Sequence, residues 1–207
     1  MTKKYTRQLL VATHNPGKVA EYADLLEDDR IDWLSLDDAG IINYADEAGA
    51  TFQENAEIKA SVYARQSGLL TLADDSGLEV DALGGAPGVM TARYGGEGLT
   101  PAERYLRLLE ALVDVPEAER TARFRCVIAL AAADGTILGS AEGVCEGQIA
   151  LEPMGEGGFG YDPVFYLPGR GVTMAQLPAG EKHRISHRGR AAYSIGPLLR
   201  RTLREME

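Results

Sequence analysis

The residues best suited to chemistry in this chain are two adjacent carboxylates, Asp74 and Asp75, set directly after a short apolar run at residues 69–73. Buried carboxylates at the end of a strand are costly unless a cation meets them. Clustered carboxylate oxygens suit a hard divalent ion such as magnesium. Neighbours in extended chain point to opposite faces. Asp74 and Asp75 are therefore expected to do different jobs, one facing a site and one fixing a turn at Ser76-Gly77. An Asp-Asp-Ser-Gly stretch is also an ordinary solvated turn. Four further polar segments, 13–18, 46–59, 159–162 and 182–188, interrupt the apolar text. Each has a plain structural reading: a solvated lysine at a helix start, a helix-face salt bridge, a tight glycine loop, a helix cap. Together they supply carboxylates for a metal, lysines for phosphates, an aromatic ring for stacking, and a late group of Lys, His and Arg.

These segments need elements to hold them. Residues 8–13 read as a buried strand and 13–18 as a loop. Residues 18–26 read as a helix, with Val19, Tyr22, Ala23 and Leu26 at helical spacing. Strand, polar glycine loop and helix start offer backbone N–H groups to a phosphate, with Lys18 at the helix start. The segment is not a P-loop, because the full Gly-x-x-x-x-Gly-Lys-Ser/Thr pattern is missing. Thr51-Phe52-Gln53-Glu54 is a capping box that starts a helix running to about Gln66. Asn55 and Lys59 share one face of it. A second capping box, Thr100 to Glu103 with Pro101 first in the helix, predicts a helix that ends before Pro116.

Residues 78–80 read as a short strand, 123–133 as a long one, Asp134-Gly135 as a hairpin turn, 136–142 as the return and 144–150 as a third strand. Ser186 can cap a last helix from near His187, which Gly196-Pro197 is expected to kink or break. Residues 155–160 match Gly-x-Gly-x-x-Gly, but Tyr161-Asp162-Pro163 stands where a helix should follow, so a dinucleotide fingerprint is rejected. The succession predicts an α/β fold, a mixed sheet with helices on its faces. The hairpin region is expected to form a second lobe, with a cleft between the lobes.

At 207 residues, 45% hydrophobic and 25% charged, the chain has the make-up of a globular protein able to bury a core. A formal charge of −10 argues against DNA or RNA as a partner, since that affinity needs many cationic contacts to phosphate. A small anionic substrate is compatible if cations are gathered locally. No apolar run approaches the roughly 18 residues of a membrane span. The apolar run after Lys3, Lys4 and Arg7 covers only 9–12, too short for a signal peptide. Cys126 and Cys145 lack metal or redox spacing and read as buried thiols, so a reducing cytoplasm is expected.

In order and spacing, the polar segments resemble the inosine triphosphate pyrophosphatase family, hydrolases of non-standard purine nucleoside triphosphates. The likeness rests on Thr-His-Asn-Pro-Gly-Lys (13–18) with Glu21, Thr-Phe-Gln-Glu-Asn-Ala-Glu-Ile-Lys-Ala (51–60) and Ala-Asp-Asp-Ser-Gly-Leu-Glu-Val-Asp-Ala-Leu-Gly-Gly-Ala-Pro-Gly (73–88). Ala-Arg-Tyr (92–94), Gly-Gly-Phe-Gly-Tyr-Asp-Pro-Val-Phe (157–165) and Ser-His-Arg (186–188) complete it. It covers nearly the whole chain as one domain, 1–207. It implies an elongated two-lobed α/β fold, a mixed β-sheet flanked by helices, an active cleft between the lobes, and a homodimer. The implied reaction is magnesium-dependent hydrolysis of dITP, ITP or XTP to the monophosphate and pyrophosphate, which cleanses the nucleotide pool.

By the same likeness Asp75 is the proton acceptor and a magnesium ligand, and Glu47 is the other acidic metal position. Thr13, Asn15, Lys18 and Lys59 fall at triphosphate positions, with His14, Pro16 and Gly17 in the same binding loop. Ser76 is a further substrate contact. Phe159, Gly160, Tyr161 and Asp162 line the base pocket with Lys182, His187 and Arg188. Physical chemistry agrees: Phe159 can stack on a purine. Cationic donors such as Lys182 or Arg188 favour the O6 acceptor of hypoxanthine or xanthine over the amino group of adenine. His183 and Arg184 are expected to face solvent. Thr91 stands where the family often has serine, and Pro197 puts the last helix in doubt. The rival readings are a nucleotide sensor without turnover, a pyrophosphatase for pyrimidines or standard nucleotides, and a structural module. The presence of both Asp75 and Glu47 argues against the sensor, and Lys182 with Ser-His-Arg argues for purines.

Overall fold

The computed structural model describes residues 7–206. Its elements are β1 (Arg7–Val11), α1 (Pro16–Leu26), β2 (Ile31–Leu34), α2 (Phe52–Ser67), β3 (Leu70–Val80), α3 (Pro101–Ala111), β4 (Thr121–Ala131), β5 (Ile137–Ile149), β6 (Phe165–Leu167), β7 (Val172–Thr173), α4 (Ala179–Ile185) and α5 (His187–Glu205). The strands form one open sheet in the order β2-β1-β3-β4-β5-β6-β7. β1 is parallel to β2 and β3, whereas β6 is antiparallel to β5 and β7, so the sheet is mixed, as predicted. The chain divides into two compact units. One takes the chain up to Asp75, then Cys126–Gly143, then the stretch from Gly189 on; the other takes Ser76–Arg125 and Val144–Arg188.

In the first unit the last three residues of β1, Leu9, Leu10 and Val11, are buried on both faces, which is why that part of its text is an unbroken apolar run. Leu9 and Val11 join Leu70, Leu72 and Ile128 against Tyr22 and Leu26 of α1 and Ile195, Leu199 and Leu203 of α5. Leu10, on the opposite face, packs with Tyr63 of α2. Asn15 caps α1 by accepting from the Gly17 N–H at 2.8 Å, and Pro16 opens the helix. The predicted capping box of Thr51 and Glu54 starts α2, and Gly68, at φ 68°, ends it in the left-handed region that glycine adopts freely.

The second unit closes around Leu78, Val80, Leu108, Leu112, Phe124, Ile149, Phe165 and Met174. The Thr100/Glu103 capping box starts α3 as predicted. Arg120 is buried and clamps the chain after α3: it donates to the carbonyls of Leu112 at 2.7 Å, Val115 at 3.0 Å and Ala150 at 3.4 Å. Hydrogen bonds from a charged donor contribute about 1.5–3 kcal/mol each, and orphaned carbonyls add a penalty. Arg120→Met is expected to destabilise the protein by roughly 3 kcal/mol or more. Thermal unfolding should show a fall in Tm of about 6–12 °C.

The chain departs from the sequence expectations in five places. The hairpin turn Asp134-Gly135 and the strand segments beside it belong to the first unit, Cys126–Gly143, rather than forming a second lobe. There is no turn at 74–77, because β3 runs unbroken through all four polar residues. Its apolar flanks, Leu72 and Leu78, are fully buried, and both carboxylates find lysine partners, so sheet pairing overrides turn propensity. The strands predicted on either side of Gly143 are one, β5. α5 runs through Pro197, held by Ala191, Ala192, Ile195, Leu199 and Leu203. Pro197 deprives the Tyr193 carbonyl of a helical partner, but Tyr193 is 85% exposed and water can serve it. β2, β6, β7 and α4 were not expected; spans of four, three, two and seven residues carry little periodicity.

Candidate active site

The alternation of β3 assigns its two carboxylates. Leu70, Leu72 and Asp74 share the face toward α1, and Asp75 turns to the face toward α2. Lys18, in the first turn of α1, meets Asp74 with both carboxylate oxygens at 3.1 and 3.2 Å. Lys59 of α2 meets Asp75 Oδ1 at 2.8 Å and Glu47 Oε2 at 3.3 Å. Asn55, one turn before Lys59, donates to Asp75 Oδ2 at 3.4 Å and accepts from the Gly49 N–H at 2.9 Å. The buried stripe of α2 explains the placement. Phe52, Ala56, Ala60, Tyr63 and Ala64 are its apolar part, and Asn55 and Lys59 interrupt it with polar groups. A lysine in such a stripe is expensive to bury unless acids meet it.

The two partners of the Lys59–Asp75 pair are shifted by opposing effects. Burial works to lower the Lys59 ammonium, yet Asp75, Asp74 and Glu47 together outweigh it and hold the group above its ordinary value. Burial pushes the Asp75 carboxyl up, Lys59 and Asn55 pull against it, and Glu47 adds to the rise; the net shift is upward. One lysine thus serves several acids, and Asp75 keeps a negative charge only partly compensated.

The loop before α1 is tied down by Thr13 Oγ1, which accepts from the Asn15 N–H at 3.1 Å. Asn15, Pro16 and Gly17 are exposed. His14 Nδ1 is 2.7 Å from Asp37 Oδ1, and its ring lies 5.0 Å from that of Tyr44. His14 Nε2 is buried without a hydrogen-bond partner among the described residues.

The second unit holds the other predicted residues. Asp162 is buried, and its Oδ2 accepts from the Phe159 N–H at 2.7 Å and from Lys182 Nζ at 2.5 Å. Lys182 Nζ lies 4.5 Å over the centre of the Phe159 ring, and the Arg188 guanidinium lies 5.5 Å from it. Phe159 is 58% exposed, which leaves area for a stacked base. His187 is buried and stacks on Phe124 at 4.8 Å and 21°. Tyr161 is buried and donates to the Thr91 carbonyl at 3.1 Å; burial raises its pKa, so its hydroxyl stays protonated. Ser76 is half-buried and follows Asp75 directly in β3. Arg184 is exposed, and His183 is half-buried.

Gly158, at φ 76°, cannot carry a side chain: a Cβ would collide with the Asp162 carboxylate and crowd Lys182 Nζ, 2.9 Å away. Gly158→Ala is expected to displace the Asp162–Lys182 pair. Steady-state kinetics on nucleoside triphosphates should show KM raised about tenfold or more, since a tenfold change needs only ~1.4 kcal/mol.

Sequence reasoning missed Asp37, Tyr44 and Phe124, which support His14 and His187 from elements distant in the chain. Asn55 was visible only as a helix-face neighbour of Lys59. Among the described residues no cluster of three or more His, Cys, Asp or Glu could hold a metal. Glu47 and Asp75 nevertheless form a donor pair of suitable chemistry, because magnesium takes one or two carboxylates together with substrate phosphates and keeps several waters.

Fold and site define the class: an α/β open-sheet protein with an acid–lysine cluster, where Lys18 of α1 and Lys59 of α2 meet Asp74 and Asp75 of β3, and an aromatic–cation cluster at Phe159. The chain belongs to the Ham1 family, whose profile matches residues 9–197. It is 49% identical over 187 residues to the dITP/XTP pyrophosphatase of Shigella flexneri, covering 89% of this chain and 94% of that one. It is 44% identical over 193 residues to the dITP/XTP pyrophosphatase of Bacillus subtilis, covering 93% and 97%. A solved HAM1 protein from Coxiella burnetii superposes with a TM-score of 0.87 at 43% identity, covering 95% of this chain and all of that one. A solved dITP/XTP pyrophosphatase from Mycobacterium abscessus gives 0.76 at 41% identity, covering 91% and 98%.

Proposed function

We propose that this protein hydrolyses dITP, ITP and XTP to the monophosphate and pyrophosphate. The observation that carries the reading is the pair Asp75 and Glu47 on one buried lysine, Lys59. The names of relatives at 44–49% identity support the substrate class. In the reaction, water attacks the α-phosphorus. A new O–P bond forms, the bond to the bridging oxygen breaks with its electrons, and pyrophosphate leaves. Asp75, held by Lys59, takes the proton of the attacking water. Lys18, Lys59, the N–H groups at the start of α1 and the side chains of Thr13, His14 and Asn15 hold the phosphates. Pro16 and Gly17 shape that loop. Glu47 and Asp75 would hold magnesium, which neutralises phosphate charge.

Ser76 adds a contact beside Asp75. Phe159, Gly160 and Tyr161 form the purine site with His187 and Arg188. Asp162 holds Lys182 in place, and the cation presents a donor to O6. The same reading carries a homodimer working in the cytoplasm. No described helix is long and apolar enough to cross a membrane.

The test is pyrophosphate release from ITP, XTP, ATP and GTP, with magnesium and then with EDTA. Release from ITP and XTP that EDTA abolishes is the expected result. Equal release from all four would discard the O6 argument, and no release from any would remove the hydrolase reading.

A further inference from the structure

We infer that Thr91 is a positioning residue for purine recognition, tying the strand that carries Ser76 to the loop that carries Phe159. The inference rests on the reading of Phe159, Lys182 and Arg188 as the base-binding set. Thr91 sits in a 3₁₀ turn, Gly88–Arg93. Its Oγ1 accepts from the Leu78 N–H at 2.9 Å and donates to the Gly88 carbonyl at 2.5 Å. Its own carbonyl accepts from the Tyr161 hydroxyl at 3.1 Å. Leu78 lies two residues beyond Ser76 in β3 and is fully buried, so its N–H needs a partner. Tyr161 neighbours Asp162, whose carboxylate holds both the Phe159 N–H and Lys182.

One residue therefore links the backbone of β3 to the loop that orients the aromatic ring and the cation. Only a hydroxyl can accept and donate at once in the space of the side chain; valine, of the same shape, can do neither. Serine supplies the same hydroxyl, so the position demands an O–H and tolerates loss of the methyl.

The experiment compares Thr91→Val, Thr91→Ser, Tyr161→Phe, the Thr91→Val/Tyr161→Phe double and Phe159→Ala. For each, kcat and KM are measured with ITP and ATP, well below a Tm recorded in parallel. Thr91→Ser should match the parent. Thr91→Val and Tyr161→Phe should each raise the KM for ITP roughly fivefold, the effect of one hydrogen bond, with kcat changed less and the ITP-to-ATP ratio of kcat/KM reduced. The double should be no worse than the worse single, because one link is cut twice. Multiplying losses in the double, or a lower Tm with KM and selectivity intact, would overturn the inference. If Thr91→Val does not fold, Tyr161→Phe decides alone, and an unchanged KM and ratio sinks it. Phe159→Ala separates the two levels. A raised KM there beside unaffected Thr91 and Tyr161 variants removes only the link, whereas no change at Phe159 removes the base-binding reading and the link with it.

Discussion

Asp75→Asn is expected to fold normally and to lose turnover by at least about a hundredfold, the lower end of what a positioned general base contributes. The amide keeps an oxygen for Lys59 to bond in place of Asp75 Oδ1, and Lys59 keeps Glu47 at 3.3 Å. The weak 3.4 Å bond from Asn55 is lost. Stability should move little, because two effects oppose: buried Lys59 loses the acid that does most to hold its charge, while the amide removes a carboxylate whose own charge is disfavoured in the fold. A carboxyl whose folded pKa is raised disfavours the charged form in the folded state, so its ionisation opposes folding in full above that pKa, and the penalty shrinks as pH falls through it and is gone below the ordinary carboxylate value. A neutral amide removes that opposition at pH 7. Asp74→Asn is the control. One residue away on the opposite face, it loosens the anchor of Lys18 and removes a charge near Lys59 while leaving the Lys59–Asp75 contact in place, so it should lower Tm and raise KM more than it lowers kcat. Measured kcat and Tm for the two variants separate the roles; Asp75→Asn with more than a tenth of parental turnover removes Asp75 as the base.

What could be read in advance depended on the range over which the physics acts. The capping boxes at Thr51 and Thr100 involve groups three residues apart, and both helices start where predicted. That Asp74 and Asp75 would part to opposite faces follows from the two-residue period of extended chain, and they do. The turn assigned to 74–77 failed because Asp, Ser and Gly carry local turn preferences that a sheet strand overrides. For a similar reason Pro197 does not break α5. Its cost is local, whereas the apolar stripe on either side of it belongs to the core. Asp37 and Phe124 could not be found from the sequence at all. Asp37 comes from a loop without periodicity, 23 residues beyond His14, and Phe124 looks like any other strand aromatic until His187 is seen lying on it.

Lys182→Ala should erode discrimination between ITP and ATP by about ten- to a hundredfold, the worth of one hydrogen bond from a charged donor. The geometry gives the reason. Lys182 Nζ is held 2.5 Å from Asp162 Oδ2 and 4.5 Å over the Phe159 ring, a cation fixed beside the ring on which a purine would stack. A carbonyl at O6 accepts from such a donor, while the amino group of adenine confronts it with a second donor, and that mismatch is the source of selectivity. The same substitution strips Asp162 of its counter-ion. Since that carboxylate is buried, with the Phe159 N–H at 2.7 Å as its other bond, stability should fall by roughly 3 kcal/mol. Stability and selectivity are separated by a double variant, Lys182→Ala/Asp162→Asn, which removes the stranded charge and should recover much of the Tm while selectivity stays low. Lys182→Arg should retain part of the ITP preference, because charge and donors persist although the ammonium geometry does not. An unchanged ITP-to-ATP ratio in folded Lys182→Ala would place the reading of O6 on Arg188, the other cation at the Phe159 ring.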